Sequence, residues 1–241
     1  MTAAIVFIGT AGYKKFFDGY YQGITKNFLP NIKKTFFVFT DDVNDSIFQK
    51  EDVVLIQIEH QCWPWITLNR FRYLLLAKDR LADYNTVFFI DADLWAVSNI
   101  TEQDIKLEKP LVGVQHPGFV NKIGTFETDT RSKASIFDGR YDLKSYRQGC
   151  FWGGRSKEFL EMVQTIYDWV EEDLKNEIVA VWHDESHTNK YFLLHPEMVE
   201  TLHPGFAQPQ HGYELIRKNF LTKFVHLHKE QSEFPRFSGV K

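Results

Sequence analysis

The chain has 241 residues, 44% of them hydrophobic and 25% charged, with a formal net charge of −4 at pH 7. That length suits one globular domain with a packed core. The small negative charge provides no field that would recruit nucleic acid, so we expect no nucleic-acid partner. Cys62 and Cys150 form neither a disulfide framework nor a zinc-ligand spacing, which is typical of a reducing compartment.

The first apolar run, Ala4–Ile8, indicates a buried strand. No basic residue precedes it, and it is too short for a signal peptide or a membrane span. We therefore expect a soluble, cytoplasmic protein without a membrane span, whose single domain covers residues 1–241.

Strand and helix patterns alternate along the chain after this first strand. Apolar runs predict strands at Thr35–Phe39, Val53–Gln57, Val87–Ile90 and Leu111–Gln115. Helical spacing of apolar residues predicts helices at Lys15–Asn27, Thr67–Leu81 and Lys157–Lys175. This alternation predicts an α/β domain with a mostly parallel, Rossmann-like central sheet flanked by helices.

Two segments break the alternation. Polarity rises and periodicity fades from Gly124 to Gln148, which predicts a long excursion over a site. Residues 217–241 form a basic and aromatic tail. Such a tail is either a frayed surface segment or a lid whose cations cover phosphates, and both interpretations stay open.

The junction between the strand Thr86–Ile90 and Asp91-Ala92-Asp93 is the strongest indication of chemistry. Carboxylates at the end of a buried strand need a compensating partner. Residues two apart in an extended segment point to the same side. Asp91 and Asp93 therefore predict a site for a hard divalent cation that retains substrate phosphates as further ligands. The alternative is a solvated turn.

A second dense cluster spans Trp182 to His187, with two histidines and two acids. Asp184 or Ser186 can cap the helix that follows. Capping explains one acid of the cluster but leaves the others without a role. We therefore interpret the cluster as part of a site.

Five segments together resemble glycosyltransferase family 6, the family of the blood-group A/B transferases and α-1,3-galactosyltransferase. Trp182–Phe192 is similar to the family signature, and Phe37–Asp41 is similar to its Phe-Val-Phe-Thr-Asp strand. The other three matching segments are His116–Phe119, Thr125–Ala134 and Phe151–Gly154. The resemblance covers roughly residues 4–195, in the same order and spacing.

This resemblance implies a GT-A fold and a retaining hexosyltransferase. The implied reaction moves galactose, or less favourably N-acetylgalactosamine, from a UDP-sugar in α-1,3 linkage to a galactose-type acceptor. The implied cofactor is Mn²⁺ at Asp91 and Asp93, or another divalent cation. Bacterial relatives often carry Asn-x-Asn there and work without metal, whereas both aspartates stand here. The chain also lacks the transmembrane stem of anchored relatives, so it resembles a minimal bacterial- or phage-like catalytic domain.

The resemblance also assigns roles to individual residues. Glu185 matches the catalytic carboxylate, either a nucleophile or an ion-pair stabiliser, and it also contacts the acceptor. Asp184, Arg70 and Asp91 match contacts to the donor sugar. For Arg70 the alternative is a surface arginine on a helix. The further implied nucleotide-binding residues are Phe7, Gly9, Tyr13, Asp91 and Asp93. Phe7 and Tyr13 match the positions that flank uracil, and for each of them a place in the core is the alternative. The further implied acceptor contacts are His116, Thr125 and Trp182.

Donor choice in this family depends on positions that Gln148 and Cys150 occupy here. Cys150 is bulkier than the glycine that leaves space for an N-acetyl group, so we expect galactose. Gln148 departs from the residues that are usual there. In the tail, His226 and His228 share one strand face, and a third metal ligand from this pair is a further alternative, as in other GT-A families.

Two other functions compete with hexosyl transfer. A sugar-1-phosphate nucleotidyltransferase also combines a Rossmann-like sheet with metal-binding aspartates, but it needs a basic, glycine-rich loop after the first strand. Gly9–Gly12 is a weak match to that loop. A non-catalytic carbohydrate-binding module is the other alternative, although such a module has no need of Glu185, Asp91 and Asp93 together.

Overall fold

A seven-stranded sheet forms the centre of the computed structural model, which describes residues 1–136, 141–230 and 234. Its strands are β1 (Thr2–Ile8), β2 (Lys33–Thr40), β3 (Val53–Gln57), β4 (Thr86–Ile90), β6 (Leu111–Gln115), β7 (Arg147–Arg155) and β8 (Val199–Leu202). Their order across the sheet is β3-β2-β1-β4-β7-β6-β8. All neighbours are parallel except for β7, which is antiparallel to β4 and to β6. The prediction of a mostly parallel sheet is confirmed.

Helices cover both faces of this sheet. The α-helices are α1 (Phe17–Asn27), α2 (Trp65–Leu68), α3 (Arg70–Leu76), α4 (Lys78–Leu81), α5 (Glu102–Ile105), α6 (Ser156–Lys175), α7 (His183–Leu194) and α8 (Glu214–Asn219). Short 3-10 helices lie at Ala11–Phe16, Ser46–Phe48, Pro117–Phe119 and Pro204–Ala207. None of the helices in the described ranges is both long enough and apolar enough to span a bilayer.

The side chains of β1 and β4 explain why this sheet is buried on both faces. In β1, Ile5 and Phe7 pack into one apolar layer, while Val6 packs into the other. In β4, Phe88 and Phe89 divide between the same two layers. Apolar residues at every position are expected for a central strand with helices on both faces. The carboxyl end of such a strand is a rigid position for a ligand site.

The central strand β7 was not predicted, and the predicted excursion Gly124–Gln148 overlaps its first two residues, Arg147 and Gln148. Its glycines explain both its position and its weak strand pattern. A Cβ at Gly153 would lie 2.5 Å from the carbonyl oxygen of Val87, and Gly154 adopts a φ of +145°. Only glycines therefore fit between β4 and β6 here.

The predicted helices differ in how well they agree with the structure. The prediction Lys157–Lys175 agrees with α6, and Lys15–Asn27 contains α1 preceded by a 3-10 turn. The prediction Thr67–Leu81 was wrong as one helix, because three short helices occupy it. Asn69 lies at the first break, and its side-chain amide donates to the Trp65 carbonyl and to Gln61. Such local side-chain bonds compete with the helical pattern.

The two segments that break the alternation are described in part. Residues 137–140 of the predicted excursion lie outside the described residues, and its other residues up to 146 contain no helix or strand. The predicted tail contains the strand β10 (Phe224–His226), which joins β5 (Leu94–Ala96) and β9 (Gln208–Pro209) in a small sheet. Residues 231–233 and 235–241 of the tail, with Arg236 and Lys241, lie outside the described residues.

Candidate active site

The two aspartates after β4 lie at the carboxyl edge of the sheet, where Asp93 contacts the C-terminal tail. The side chain of Asp93 is 2% exposed, and its Oδ2 atom lies 3.1 Å from Nε2 of His226 and 2.5 Å from Nζ of Lys229. Burial raises the pKa of Asp93, but these two cations outweigh it and hold the pKa well below its ordinary value. Asp93 is therefore anionic at neutral pH.

The set of possible metal ligands consists of Asp91, Asp93 and His226. One ligand atom from each lies within 4.8 Å of the others. Burial raises the pKa of Asp91 to about 6, although Arg70 opposes this shift. Two carboxylates and an imidazole fit a borderline divalent cation such as Mn²⁺. Among the described residues, these three are the group of His, Cys, Asp or Glu side chains that lie close enough together to share one ion.

A cavity of about 590 Å³ extends along the same edge of the sheet. The residues of the predicted site that line it are Tyr13, Arg70, Asp91, Asp93 and His226. The Lys229 ammonium lies 3.3 Å from the Tyr13 hydroxyl, and the Phe234 ring lies 4.4 Å from the Tyr13 ring. The volume is sufficient for a nucleotide-sized ligand.

The other two residues assigned to the nucleotide are Phe7 and Gly9. The Phe7 side chain is fully buried and packs edge-on against the rings of Phe17 and Tyr20, so it is part of the core rather than of the cavity wall. Gly9 lies against this ring, since a Cβ at Gly9 would approach Phe7 to 2.2 Å. Of the two predicted uracil neighbours, only Tyr13 lines the cavity.

Arg70 connects the two acidic motifs. Its guanidinium lies 3.5 Å from Oδ1 of Asp91 and 3.1 Å from Oδ2 of Asp184, and it donates to the Gly149 carbonyl at 3.0 Å. The residue is 6% exposed, which excludes the alternative of a surface arginine on a helix. A buried guanidinium between two carboxylates holds both of them close together.

Glu185 lies at the start of α7, directly after Asp184. Its Oε1 atom accepts from the Tyr146 hydroxyl at 2.6 Å, and its Oε2 atom accepts from the Gly149 amide at 2.7 Å. Burial raises the pKa of Glu185 to about 7, although these two hydrogen bonds oppose the rise. His183, two residues before Glu185, adopts a φ of +52°. Strained conformations of this kind are found at functional sites.

A buried network fixes α7 to the rest of the domain. Asp173 accepts from the Ser132 hydroxyl at 2.6 Å and from the Lys133 amide at 2.6 Å, and its Oδ2 atom lies 2.9 Å from Nε2 of His187. Asn189 bonds to both the amide and the carbonyl of Arg147 in β7. These bonds hold the helix that presents Asp184 and Glu185.

Replacing Asp173 with Asn should destabilise the fold by about 2–3 kcal/mol, because buried donors would lose a charged acceptor. Burial opposes ionisation, yet His187 and Ser132 hold the pKa of Asp173 below its ordinary value. Its contribution is therefore present above about pH 3.9 and lost as pH falls through the depressed pKa. Urea unfolding at pH 7 and pH 3 checks both statements. The control is Asp168→Asn on the exposed face of α6, and equal stability of the two variants at pH 7 would contradict the prediction.

The residues assigned to the acceptor lie around Tyr146 and at the start of α7. The His116 ring packs against Tyr146 with centroids 5.8 Å apart, and burial, followed by the charge of His226, lowers the pKa of His116 to about 4. Thr125 is exposed, and Trp182 is 46% exposed. The two exposed side chains are free to meet a second substrate from solvent.

The residues assigned to donor choice lie on β7, between the two acidic motifs. Cys150 is buried, and its carbonyl accepts from the Asp91 amide at 2.8 Å. The side-chain nitrogen of Gln148 lies 3.5 Å from Nδ1 of His226, and its carbonyl oxygen is buried without a partner. Gln148 therefore presents an unsatisfied acceptor beside His226, one of the possible metal ligands.

Two residues of the site were missed by the sequence analysis. Tyr146 stands in a polar stretch and meets a partner 39 positions away, so no local pattern marks it. Lys229 was noted only as one of several basic residues in the tail, and its contact with Asp93 depends on β10 pairing with β5. His226 was kept as an alternative, and it lies within reach of both aspartates.

A mostly parallel sheet with paired aspartates at its carboxyl edge and a cavity beside them defines a transferase domain of the GT-A type. Residues 1–233 match the profile of glycosyltransferase family 6. The chain belongs to this family, as the resemblance of its motifs predicted. It is therefore a glycosyltransferase, and the alternatives of a nucleotidyltransferase and a binding module lose their support.

Several relatives are similar over most of the chain. The O-antigen biosynthesis glycosyltransferase WbnI of Escherichia coli is 35% identical over 193 residues, which is 80% of this chain and 82% of the relative. The histo-blood group ABO system transferase 1 of Rattus norvegicus is 26% identical over 82% of this chain. The globoside alpha-1,3-N-acetylgalactosaminyltransferase 1 of Gallus gallus is 25% identical over 81% of it. Each of the latter two matches spans 58% of the relative's length.

Proposed function

We propose that the protein transfers galactose from UDP-galactose to a galactose-type acceptor, in α-1,3 linkage and with retention of anomeric configuration. The observation that carries the proposal is the bridge made by Arg70. Its guanidinium lies 3.5 Å from Asp91 and 3.1 Å from Asp184, the neighbour of Glu185, and this supports a common site for the two acidic pairs. A group that holds diphosphate and a group that faces the sugar are both needed for such a transfer.

We further propose that a divalent cation, Mn²⁺ by preference, binds to Asp91, Asp93 and His226. Such an ion supplies a Lewis acid for the negative charge that develops on the diphosphate. Lys229, which lies 2.5 Å from Asp93, adds a second positive charge at the same place. Its position supports the proposal that the tail of residues 217–241 covers the leaving group.

Glu185 supplies the opposite charge. Breaking the bond to UDP leaves positive charge on the sugar ring, and a fixed carboxylate stabilises it more strongly in a buried site than in water. Asp184, held by Arg70, is placed to accept from hydroxyl groups of the donor sugar. The exposed side chains of Thr125 and Trp182 mark the place where we propose that the acceptor galactoside binds. We place the reaction in the cytoplasm, because both cysteines are free thiols.

Donor choice provides a separate prediction. Replacing Cys150 with Gly should raise the relative use of UDP-N-acetylgalactosamine about tenfold, because the change removes buried volume at the position that selects the donor in this family. The measurement is kcat/KM for both donors with wild type and variant. Ala77→Gly, at a buried position that does not line the cavity, is the control. An unchanged donor ratio in Cys150→Gly would contradict the prediction.

The function itself is tested by UDP release. The protein is incubated with lactose, Mn²⁺ and, in turn, each of the common UDP-hexoses, and the product is analysed by NMR. We expect fastest UDP release with UDP-galactose and an α-1,3-linked product. Release with another donor would revise the sugar, and a β-linked product would overturn retention. Absence of turnover with every UDP-hexose would overturn the proposal as a whole.

A further inference from the structure

Tyr146 holds one of the two oxygens of the Glu185 carboxylate. Its hydroxyl donates to Oε1 at 2.6 Å, while the Gly149 amide donates to Oε2 at 2.7 Å. Tyr146 directly precedes β7 and Gly149 is its third residue, and together the two donors fix the plane of the carboxylate. A hydrogen bond of this length to an ionised oxygen belongs to the strong class.

The Tyr146 ring is itself held in place. It is 1% exposed and packs edge-on against Phe119 and Phe126, with centroids 4.9 Å and 5.0 Å away. Gly124 lies directly against the ring, since a Cβ there would approach it to 2.2 Å. The hydroxyl therefore has a fixed direction, which is the requirement for a group that orients another.

We propose that Tyr146 is a positioning residue, which together with the Gly149 amide aims the Glu185 carboxylate at the donor sugar. The inference rests on the proposed function, because it takes Glu185 as the group that faces the sugar. It assigns Tyr146 a role in turnover rather than in packing alone.

The electrostatics of the site support this role. Burial, followed by the charge of Glu185, raises the pKa of Tyr146 far above its ordinary value, so its hydroxyl is a donor throughout the accessible pH range. Burial raises the pKa of Glu185 to about 7, and the bonds from Tyr146 and Gly149 oppose that rise. The charged groups that also act on Glu185 are Asp184 and Arg70, with opposite effects. Without the tyrosine hydroxyl, protonation of Glu185 becomes easier.

The test is Tyr146→Phe, which keeps the ring and removes the hydroxyl. At pH 7 we expect kcat to fall about 10- to 100-fold, as for loss of a hydrogen bond to a charged group. KM for the donor should change less than about twofold, because binding of the donor in the ground state is unaffected. The acidic limb of the kcat profile should move up by about one pH unit, so that part of the loss is recovered at pH 9. The donor used is the UDP-hexose that wild type turns over fastest.

Three further measurements decide between turnover and packing. Tyr167→Phe, at a partly buried position on α6, is the matched control and should leave the profile unchanged. A ¹³C-carboxyl NMR titration of Glu185 should show a higher pKa in Tyr146→Phe, independently of activity. Thermal unfolding should show similar melting temperatures for the two variants.

The outcomes separate this inference from the proposed function. Full activity in Tyr146→Phe, or a lower kcat with an unmoved acidic limb and an unchanged Glu185 titration, would overturn the role of Tyr146. Full activity in Glu185→Gln would instead overturn the assignment of Glu185, on which the role of Tyr146 depends. A loss of activity in Glu185→Gln, together with a shifted acidic limb of the kcat profile in Tyr146→Phe, supports both the assignment of Glu185 and the role of Tyr146.

Discussion

Replacing Glu185 with Gln should lower kcat by about 10³-fold while leaving the affinity for UDP unchanged. The variant keeps the shape of the side chain, and its amide can still bond to Tyr146 and to the Gly149 amide, so the fold should be retained. What it loses is the negative charge opposite the developing positive charge on the sugar. Because that charge exists only in the transition state, the loss falls on kcat and not on binding.

The measurement is single-turnover kinetics at saturating donor, with UDP binding followed by calorimetry. Glu171→Gln, on the exposed face of α6, is the matched control and should behave as wild type. A decrease of less than about tenfold in Glu185→Gln would remove Glu185 from the reaction centre. A parallel loss of UDP affinity would show instead that Glu185 acts in binding.

Replacing Asp93 with Asn should weaken Mn²⁺ binding by at least about 100-fold, since even residues that only support metal ligands cost 10- to 100-fold in affinity when lost. Asp93 is 2% exposed and anionic, and it provides the charge of the ligand set that is most deeply buried. Metal-stimulated hydrolysis of the donor should disappear with it. The proposed ion would then lack a ligand that the amide oxygen replaces poorly.

Electron paramagnetic resonance of free Mn²⁺, in the presence of UDP, measures the affinity directly. The control is Asp83→Asn at an exposed position before β4. Equal Mn²⁺ affinity in Asp93→Asn and wild type would falsify the metal site at this edge of the sheet. His226→Gln, measured in the same way, tells whether the imidazole belongs to the ligand set.

The sequence was informative where one local pattern determines the structure. A continuous apolar run before Asp91 is sufficient to predict both the buried strand β4 and the place of the carboxylates, because the end of a strand is fixed by its own residues. The same holds for the apolar face of α6. Arg70 was assigned through the family resemblance, and its burial between Asp91 and Asp184 agrees with that assignment.

Features that depend on distant partners were not visible in the sequence. The strand β7 is central because Gly153 and Gly154 let β4 and β6 approach it, yet glycines are the residues that make a strand pattern weak. Lys229 meets Tyr13 across 216 positions, and only the folded chain brings them together. Phe7 was placed at the nucleotide by resemblance, whereas the alternation of β1 directs its ring into the core.

The contact between Lys229 and Asp93 has a consequence for the order of events at the site. An ammonium group already neutralises the carboxylate that the proposed metal ion needs, so that ion would have to exchange places with it. The released ammonium would then be free to pair with the diphosphate of the proposed donor. Binding of the ion and binding of the diphosphate would thereby favour each other. Thermodynamic linkage requires that each of them raise the affinity for the other by the same factor.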